Sequence, residues 1–197
     1  MDQQTIKTYD ELAKLYDDET KDFWEHFPRT IIDTFIGLTS GKILDIGSGS
    51  GSDGLILQRG GLEVICLDAS REMVALSSQK GLTSVLGDFS AIPFPDGSFD
   101  GVWAYTSLLH AKKTEIGIAL REIKRVLKSD GIFCLGMIEG DKEEYRESSE
   151  IKMLRFFSFY KKEELEALLK QFDFEVVYFE EFQPKSKNYL NFICRNV

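Results

Sequence analysis

The chain has 197 residues, 43% of them hydrophobic and 29% charged, which fits one globular domain with a full core. Its net charge of −9 argues against a nucleic-acid partner, because an acidic surface repels phosphate backbones. The first residues lack the pattern of a signal peptide, and no apolar run has the length of a bilayer. We therefore expect a cytoplasmic protein with no membrane partner.

Cysteine usage agrees with a reducing compartment. The three cysteines are far apart and each lies in an apolar run, so buried free thiols are expected at Cys66, Cys134 and Cys194. No cysteine pair has the spacing of metal ligands and the chain has two histidines, so no metal site is predicted.

The predicted elements change in character near Lys42. Apolar residues recur at helical spacing in residues 1–40, which we interpret as an N-terminal helical cap. Beyond it, short β-rich runs alternate with helical segments. The predicted strands are 42–46, 63–67, 83–86, 99–104, 131–138, 174–180 and 188–194, and the predicted helices are 53–59, 71–79, 114–127 and 161–171.

This alternation predicts an α/β fold with a doubly wound, seven-stranded, mostly parallel sheet and helices on both faces. Residues 181–187 are too short for a helical crossover, so the last two strands should form an antiparallel hairpin. Such sheets bind ligands at the carboxyl ends of their strands, near the point where the strand order reverses.

The most informative segment is 43–51, Ile-Leu-Asp-Ile-Gly-Ser-Gly-Ser-Gly. A short apolar run ends in an acid, and three glycines follow at alternate positions. Residues 52–57 can then open a helix, whose first N–H groups would point at a ligand. Because glycine permits positive φ and a close approach of the backbone, this turn predicts a nucleotide-type site.

Two kinds of nucleotide fit the pattern. Gly49, Gly51 and Gly54 satisfy Gly-x-Gly-x-x-Gly, and Asp68 follows at the end of the next strand, as in a dinucleotide-binding domain. That pattern alone is weakly specific. The sequence contains neither a Tyr-x-x-x-Lys pair nor a second domain, which argues against a nicotinamide-dependent oxidoreductase.

Two acids indicate a nucleotide other than a nicotinamide dinucleotide. Asp45 ends the first strand, where it would face the cationic group of a ligand, and Asp88 ends the third strand, where it could accept from an exocyclic amine. Four segments together closely resemble class I S-adenosylmethionine-dependent methyltransferases: 43–51, 64–70, 87–100 and 127–133. The likeness runs from about Tyr9 to about Phe179, and it departs at Asp130, where the family usually has glycine in a surface turn.

The resemblance implies a Rossmann-like fold, a single class I methyltransferase domain over residues 1–197, and S-adenosyl-L-methionine as cofactor. It places the methionine end of the cofactor on Asp45 and the turn formed by Gly47, Ser48, Gly49 and Gly51. The ribose would lie on Asp68 and Ala69, and the adenine on Asp88 and Phe89, between Met73 and Ile92. The alternative for Asp68 and Asp88 is capping of the helices that follow them.

The acceptor side is predicted at the exit of the fourth strand, residues 102–110. His110 is a candidate catalytic residue that would titrate near neutrality, or else a structural histidine bonded to backbone. Tyr105 is a candidate for both catalysis and cofactor binding, although a role as pocket wall is favoured.

Residues 139–160 are predicted to form a lid-like insertion. Within it, Arg155 could hold an anionic group of the substrate, or could pair with a nearby glutamate over buried aromatic rings. Tyr9 and Tyr16 lie on the N-terminal helix and would contact substrate or simply pack.

No Asn/Asp-Pro-Pro-aromatic motif follows the fourth strand, so methyl transfer to a small molecule is predicted. A non-catalytic protein that binds the cofactor or its demethylated product is the first alternative, and the oxidoreductase is the second. A protein or RNA methyltransferase is disfavoured by the acidic charge. The protein is expected to be a monomer or a homodimer.

Overall fold

A computed structural model describes residues 1–147, 152–184 and 186–197. The helices are α1 (Gln3–Thr20), α2 (Phe23–His26), α3 (Thr30–Leu38), α4 (Ser52–Arg59), α5 (Arg71–Gln79), α6 (Ile116–Val126) and α7 (Lys162–Gln171), with a 3₁₀ turn at Leu108–His110. The strands are β1 (Lys42–Ile46), β2 (Glu63–Asp68), β3 (Thr83–Leu86), β4 (Phe99–Tyr105), β5 (Leu127–Ile138), β6 (Glu143–Arg146), β7 (Arg155–Ser158), β8 (Phe174–Phe182) and β9 (Tyr189–Asn196).

The central sheet has seven strands in the order β3-β2-β1-β4-β5-β9-β8. Strands β1 to β5 pair in parallel, whereas β9 runs antiparallel to both β5 and β8. The predicted fold class is confirmed, including the antiparallel C-terminal hairpin. The strand order reverses between β1 and β4, so the loops leaving these two strands diverge and open a crevice at their carboxyl ends.

Both faces of the sheet are buried, which explains the nearly continuous apolar runs of its inner strands. Successive residues of a strand point to opposite faces, so Ile43 packs in the cluster under α3 and α4, and Leu44 packs in the cluster under α6 and α7. Asp45 is next along β1 and is also buried. A carboxylate at that depth marks the end of the apolar core and the start of the crevice.

The stretch predicted as a lid-like insertion contains a second, two-stranded sheet, β6 paired antiparallel with β7. No strands were predicted there. Most residues of β6 are exposed, so its polar sequence has no apolar alternation that would predict a strand. Its pairing with the buried β7 holds it in an extended conformation. Residues 148–151 of this stretch lie outside the described residues.

None of the described helices is long and apolar enough to cross a membrane.

Candidate functional site

A cavity of about 460 Å³ opens at the carboxyl ends of β1, β2 and β4, and α1 and β7 close it from above. Its volume lies in the range of small-molecule sites. The predicted site residues on its wall are Tyr9, Tyr16, Asp45, Gly47, Ser48, Gly49, Asp68, Ala69, Met73, Phe89, Tyr105, His110 and Arg155. Residues far apart along the chain are thus brought to one site.

The glycine turn is shaped by two close approaches. Gly47 has φ +64°, its N–H donates to the carbonyl of Leu67 over 2.7 Å, and a Cβ placed on it would lie 2.4 Å from Cβ of Ser107. Gly49 has φ +55°, and a Cβ there would have only the Tyr16 ring nearby, at 3.8 Å, so it would project into the cavity. Gly47 is therefore required by packing, whereas the absence of a side chain at Gly49 leaves cavity space beside the turn.

Asp68 is held by backbone donors from both sides. Its Oδ2 accepts from the N–H of Gly49 and its Oδ1 from the N–H of Ser70, each at 2.8 Å. Burial raises the pKa of Asp68 to about 6, against the lowering effect of these N–H groups. The following helix α5 is capped by Ser70, whose hydroxyl accepts from the N–H of Met73 at 3.1 Å. The cap of α5 is thus supplied without Asp68, whose carboxylate retains free lone pairs for a ligand.

Asp53 is a partly buried cavity acid that the sequence reasoning missed as a site residue. The indole N–H groups of Trp24 and Trp103 donate to its two oxygens, at 2.6 and 2.9 Å. Desolvation raises its pKa, while the two indoles favour its charged form. Its place at the start of α4 was the available signal, but nothing in the sequence linked it to a tryptophan 29 residues earlier.

Asp45 lies on the same side of the cavity and is 2% exposed. Burial raises the pKa of Asp45 well above its usual range, and the charges of Asp53 and Asp68 raise it further. A bound cation would favour the charged forms of these three acids, so this part of the cavity is suited to a cationic group.

Three predicted cofactor residues do not line the cavity: Asp88, Ile92 and Gly51. The Oδ2 of Asp88 accepts from the amino group of Met1 at 2.6 Å, and its Oδ1 accepts from the N–H of Ser90 at 2.9 Å. No α-helix follows Asp88 before α6, so the helix-capping alternative is wrong for it. Ile92 lies in the core, and Gly51 is the N-terminal cap of α4.

His110, Tyr9 and Arg155 form a hydrogen-bonded chain whose directions can be assigned. Nδ1 of His110 lies 2.6 Å from the carbonyl of Phe156, which can only accept, so Nδ1 carries the proton. Burial lowers the pKa of His110 to about 4, so the ring is neutral at physiological pH and Nε2 is an acceptor. The Tyr9 hydroxyl, 2.8 Å away, therefore donates to Nε2 and accepts from Arg155 at 3.3 Å.

The expectation that His110 titrates near neutrality is thus wrong, and the alternative of a backbone-bonded histidine is what the structure shows. The physical reason is that its ring is 5% exposed and lies 4.9 Å from the ring of Phe157, where a charged imidazolium would be poorly solvated.

We expect the His110 ring to stay in the Nδ1–H form across the physiological pH range. Long-range ¹H–¹⁵N spectra of ¹⁵N-labelled protein would report the tautomer directly, and the exposed His26 supplies the chain's second ring as an internal comparison. A fully charged His110 ring at a pH of about 6, well above the lowered pKa, would contradict the assignment.

Tyr105 is part of the cavity wall. Its ring stacks between those of Trp103 and Tyr189, with centroid distances of 5.6 and 6.3 Å. Burial raises the pKa of its phenol, so Tyr105 remains protonated at neutral pH and cannot act as a base.

Helix α1 is attached to both halves of the site. Asp17 accepts from Ser50 in the glycine turn and from Lys80, and Asp10 accepts from the hydroxyl of Ser70. At the other end of the helix, Thr5 accepts from the N–H of Phe156 in β7. These contacts place Tyr9 and Tyr16 over the cavity.

The chain is similar to known proteins in sequence and in fold. Residues 44–135 match a family model described as a methyltransferase domain. The chain is 38% identical over 101 residues to the uncharacterized methyltransferase YcgJ of Bacillus subtilis, a match that covers 48% of this chain and 39% of that protein. The chain thus spans well under two thirds of the length of this curated relative.

Two solved structures show the same fold. A SAM-dependent methyltransferase from Methanosarcina mazei superposes with a TM-score of 0.76 at 20% identity, covering 87% of this chain and 98% of that one. The 1,6-didemethyltoxoflavin-N1-methyltransferase of Burkholderia thailandensis, solved with 1,6-didemethyltoxoflavin and S-adenosylhomocysteine, superposes with a TM-score of 0.72 at 22% identity over 96% of this chain and 87% of that one. Residues 44–135 thus match a methyltransferase-domain family, and the chain has the fold of S-adenosylmethionine-dependent methyltransferases.

Proposed function

We propose that the protein transfers a methyl group from S-adenosyl-L-methionine to a small-molecule acceptor. The observation that carries this proposal is the meeting of the glycine turn with three carboxylates, Asp45, Asp53 and Asp68, in one cavity. The cofactor has an ammonium, a sulfonium and two ribose hydroxyls, and this group of acceptors suits each of them. A nicotinamide dinucleotide has two phosphates and no ammonium or sulfonium to pair with these acids.

The residues present fit this cofactor. The hydroxyl of Ser107 is buried on the cavity wall and has no hydrogen-bond partner among the described residues. Such groups are costly to leave unpaired, so a polar ligand is the natural partner. Met73 and Phe89 are buried on the wall beyond Asp68 and offer apolar surface to the adenine ring.

In the proposed reaction, the bound cofactor supplies a methyl carbon already activated by its positive sulfur. The protein's task is then to align the acceptor with the carbon–sulfur bond and to keep water out, and orientation of this kind can supply roughly 7–11 kcal/mol of a barrier. The aromatic rings of Phe23, Tyr105 and Tyr189 pack together on the wall and would exclude water.

A proton can also be held at a defined place. A proton reaching the Tyr9 oxygen from an acceptor would let the phenol pass its own proton to Nε2 of His110. Because the pKa of His110 is lowered to about 4, this path suits an acceptor that needs little help to lose its proton.

A small acceptor is supported by the way α1 and β7 cover one side of the cavity. The Burkholderia thailandensis neighbour, whose structure contains a small heterocycle, supports the same class of acceptor. A monomer or homodimer in the cytoplasm remains our expectation.

The proposal is tested by thermal unfolding with S-adenosylmethionine, S-adenosylhomocysteine and NADH added separately. A ligand at about 100 times its dissociation constant stabilises the native state by roughly 2.7 kcal/mol, which we expect for the two sulfur nucleotides. A shift with NADH alone would contradict the proposal and restore the oxidoreductase. Binding of S-adenosylmethionine without demethylation in the presence of any acceptor would favour a non-catalytic binding protein.

A further inference from the structure

We infer that Arg155 is the anchor for an anionic acceptor, a small carboxylate with an aromatic or other flat apolar part. This inference rests on the proposed function and names the class of its substrate. Arg155 is 7% exposed and lies on the cavity wall, so its charge is buried in the protein and faces the site.

Among the described residues, Arg155 lacks the partners that a buried structural arginine usually has. Among the described residues no carboxylate lies within 4.0 Å of its guanidinium, and its Nε is buried without a hydrogen-bond partner. Its one protein hydrogen bond in these ranges is the contact of 3.3 Å with the Tyr9 hydroxyl. Arg125 shows the contrast, since its guanidinium pairs with Glu122 and Asp96 and also donates to backbone carbonyls. A buried charge that lacks a partner is costly, so the partner of Arg155 is expected to come from the cavity.

The surroundings of Arg155 indicate what that partner is. Its guanidinium carbon lies 5.6 Å from the ring centre of Tyr9 and 5.3 Å from that of Phe157, so the guanidinium lies over two aromatic rings. A planar guanidinium is suited to a carboxylate, which it can bind with two parallel hydrogen bonds. The rings beside it would contact a flat apolar part of the same molecule.

The carboxylate of the cofactor's own amino acid is the other possible source of this chemistry. The acceptor is favoured because two rings lie between Arg155 and the glycine turn. Tyr16 is the side chain nearest to Gly49, Tyr9 packs against Tyr16 with a centroid distance of 5.2 Å, and Arg155 lies beyond Tyr9. The three carboxylates are also on the side of the turn, so the cavity has an acidic region for the cofactor and a basic one beyond it.

The test measures binding of acetate, benzoate and phenylacetate, each against its neutral amide, by calorimetry on protein saturated with S-adenosylhomocysteine. We expect at least one anion to bind about tenfold or more tightly than its amide, and Arg155→Gln to remove that preference. Arg155→Lys keeps the charge but not the planar fork and should retain part of it. Arg121→Gln is the matched control, because Arg121 also lies over a ring, that of Phe172, but outside the cavity.

Three results would overturn the inference. The first is that no anion binds more tightly than its amide. The second is that Arg121→Gln has the same effect as Arg155→Gln. The third is that Arg155→Gln weakens S-adenosylhomocysteine but spares 5′-methylthioadenosine, which would mean that Arg155 holds the cofactor's carboxylate. The titrations are repeated without nucleotide as a control. If the protein then binds the anions but does not bind the cofactor, the proposed function fails while the inference about Arg155 stands.

Discussion

Replacing Asp68 with asparagine is expected to weaken the binding of S-adenosylhomocysteine by about 100-fold. A ribose diol would donate to both carboxylate oxygens, and a hydrogen bond to a charged group contributes about 1.5–3 kcal/mol. In the wild type, the N–H groups of Gly49 and Ser70 each donate to an oxygen of Asp68. Asparagine keeps the shape of the side chain but places an N–H₂ group against one of these two donors. The dissociation constant is measured by calorimetry at a pH of about 7.5, where the wild-type carboxylate is ionised.

Asp88→Asn is the matched control for this substitution. The sequence places both acids at the ends of consecutive strands, but the structure places only Asp68 on the cavity wall. Asp88→Asn should therefore change the dissociation constant less than about threefold. Equal losses for the two variants would contradict the structural distinction between them and restore the adenine contact predicted for Asp88.

The Asp68→Asn variant should also change how the stability of the protein depends on pH. Because the pKa of Asp68 is raised to about 6 in the folded protein, its contribution to stability is present below the unfolded value of 3.8 and is lost as the pH rises through 6. This loss amounts to about 3 kcal/mol in the unliganded protein. Asp68→Asn should remove it. Urea unfolding at pH values of about 4.5 and about 7.5 would detect about 2 kcal/mol of this loss in the wild type, because the carboxyl of the unfolded chain is already largely ionised at the lower pH. Affinity for the cofactor should rise over the same interval in the wild type, since the ribose needs the ionised carboxylate.

Alanine at Gly47 is expected to destabilise the protein by about 3 kcal/mol, for two reasons that add. A side chain at positive φ costs about 1–2 kcal/mol, and overpacking against Ser107 costs about 1–3 kcal/mol more. The overlap is with Cβ of Ser107, an atom too close to the backbone to move aside. Urea unfolding measures the loss.

Two further alanine variants distinguish the cost of a side chain at positive φ from the cost of steric overlap and from the loss of ligand affinity. Gly97 has φ +60° and open space around it, so Gly97→Ala should cost only about 1 kcal/mol. Gly49→Ala should resemble Gly97→Ala in stability but lose affinity for S-adenosylhomocysteine, because its Cβ would enter the cavity. Equal stability of the Gly47 and Gly97 variants would contradict the packing role given to Gly47.

The sequence by itself determined the order along the chain of the seven strands of the central sheet and of the helices between them, the glycine turn and the acids at the strand ends. It did not predict β6 and β7. The predicted features depend on local rules. Apolar periodicity distinguishes strands from helices, glycine permits positive φ, and the carboxyl ends of parallel strands share one edge of a sheet. The pattern along the chain is therefore sufficient to place Asp45 and Asp68 at a common site.

The tertiary structure alone decided which side chains meet across that site. Asp53 is bonded to tryptophans 29 and 50 residues away, and Tyr9 joins His110 and Arg155 across 101 and 146 residues. Such contacts depend on how separate elements pack. A pattern of residue types along the chain does not predict which residues so far apart in sequence will meet. Burial likewise sets the pKa of His110 and leaves Arg155 without a carboxylate in the described ranges, because desolvation belongs to the surroundings of a group and not to its residue type.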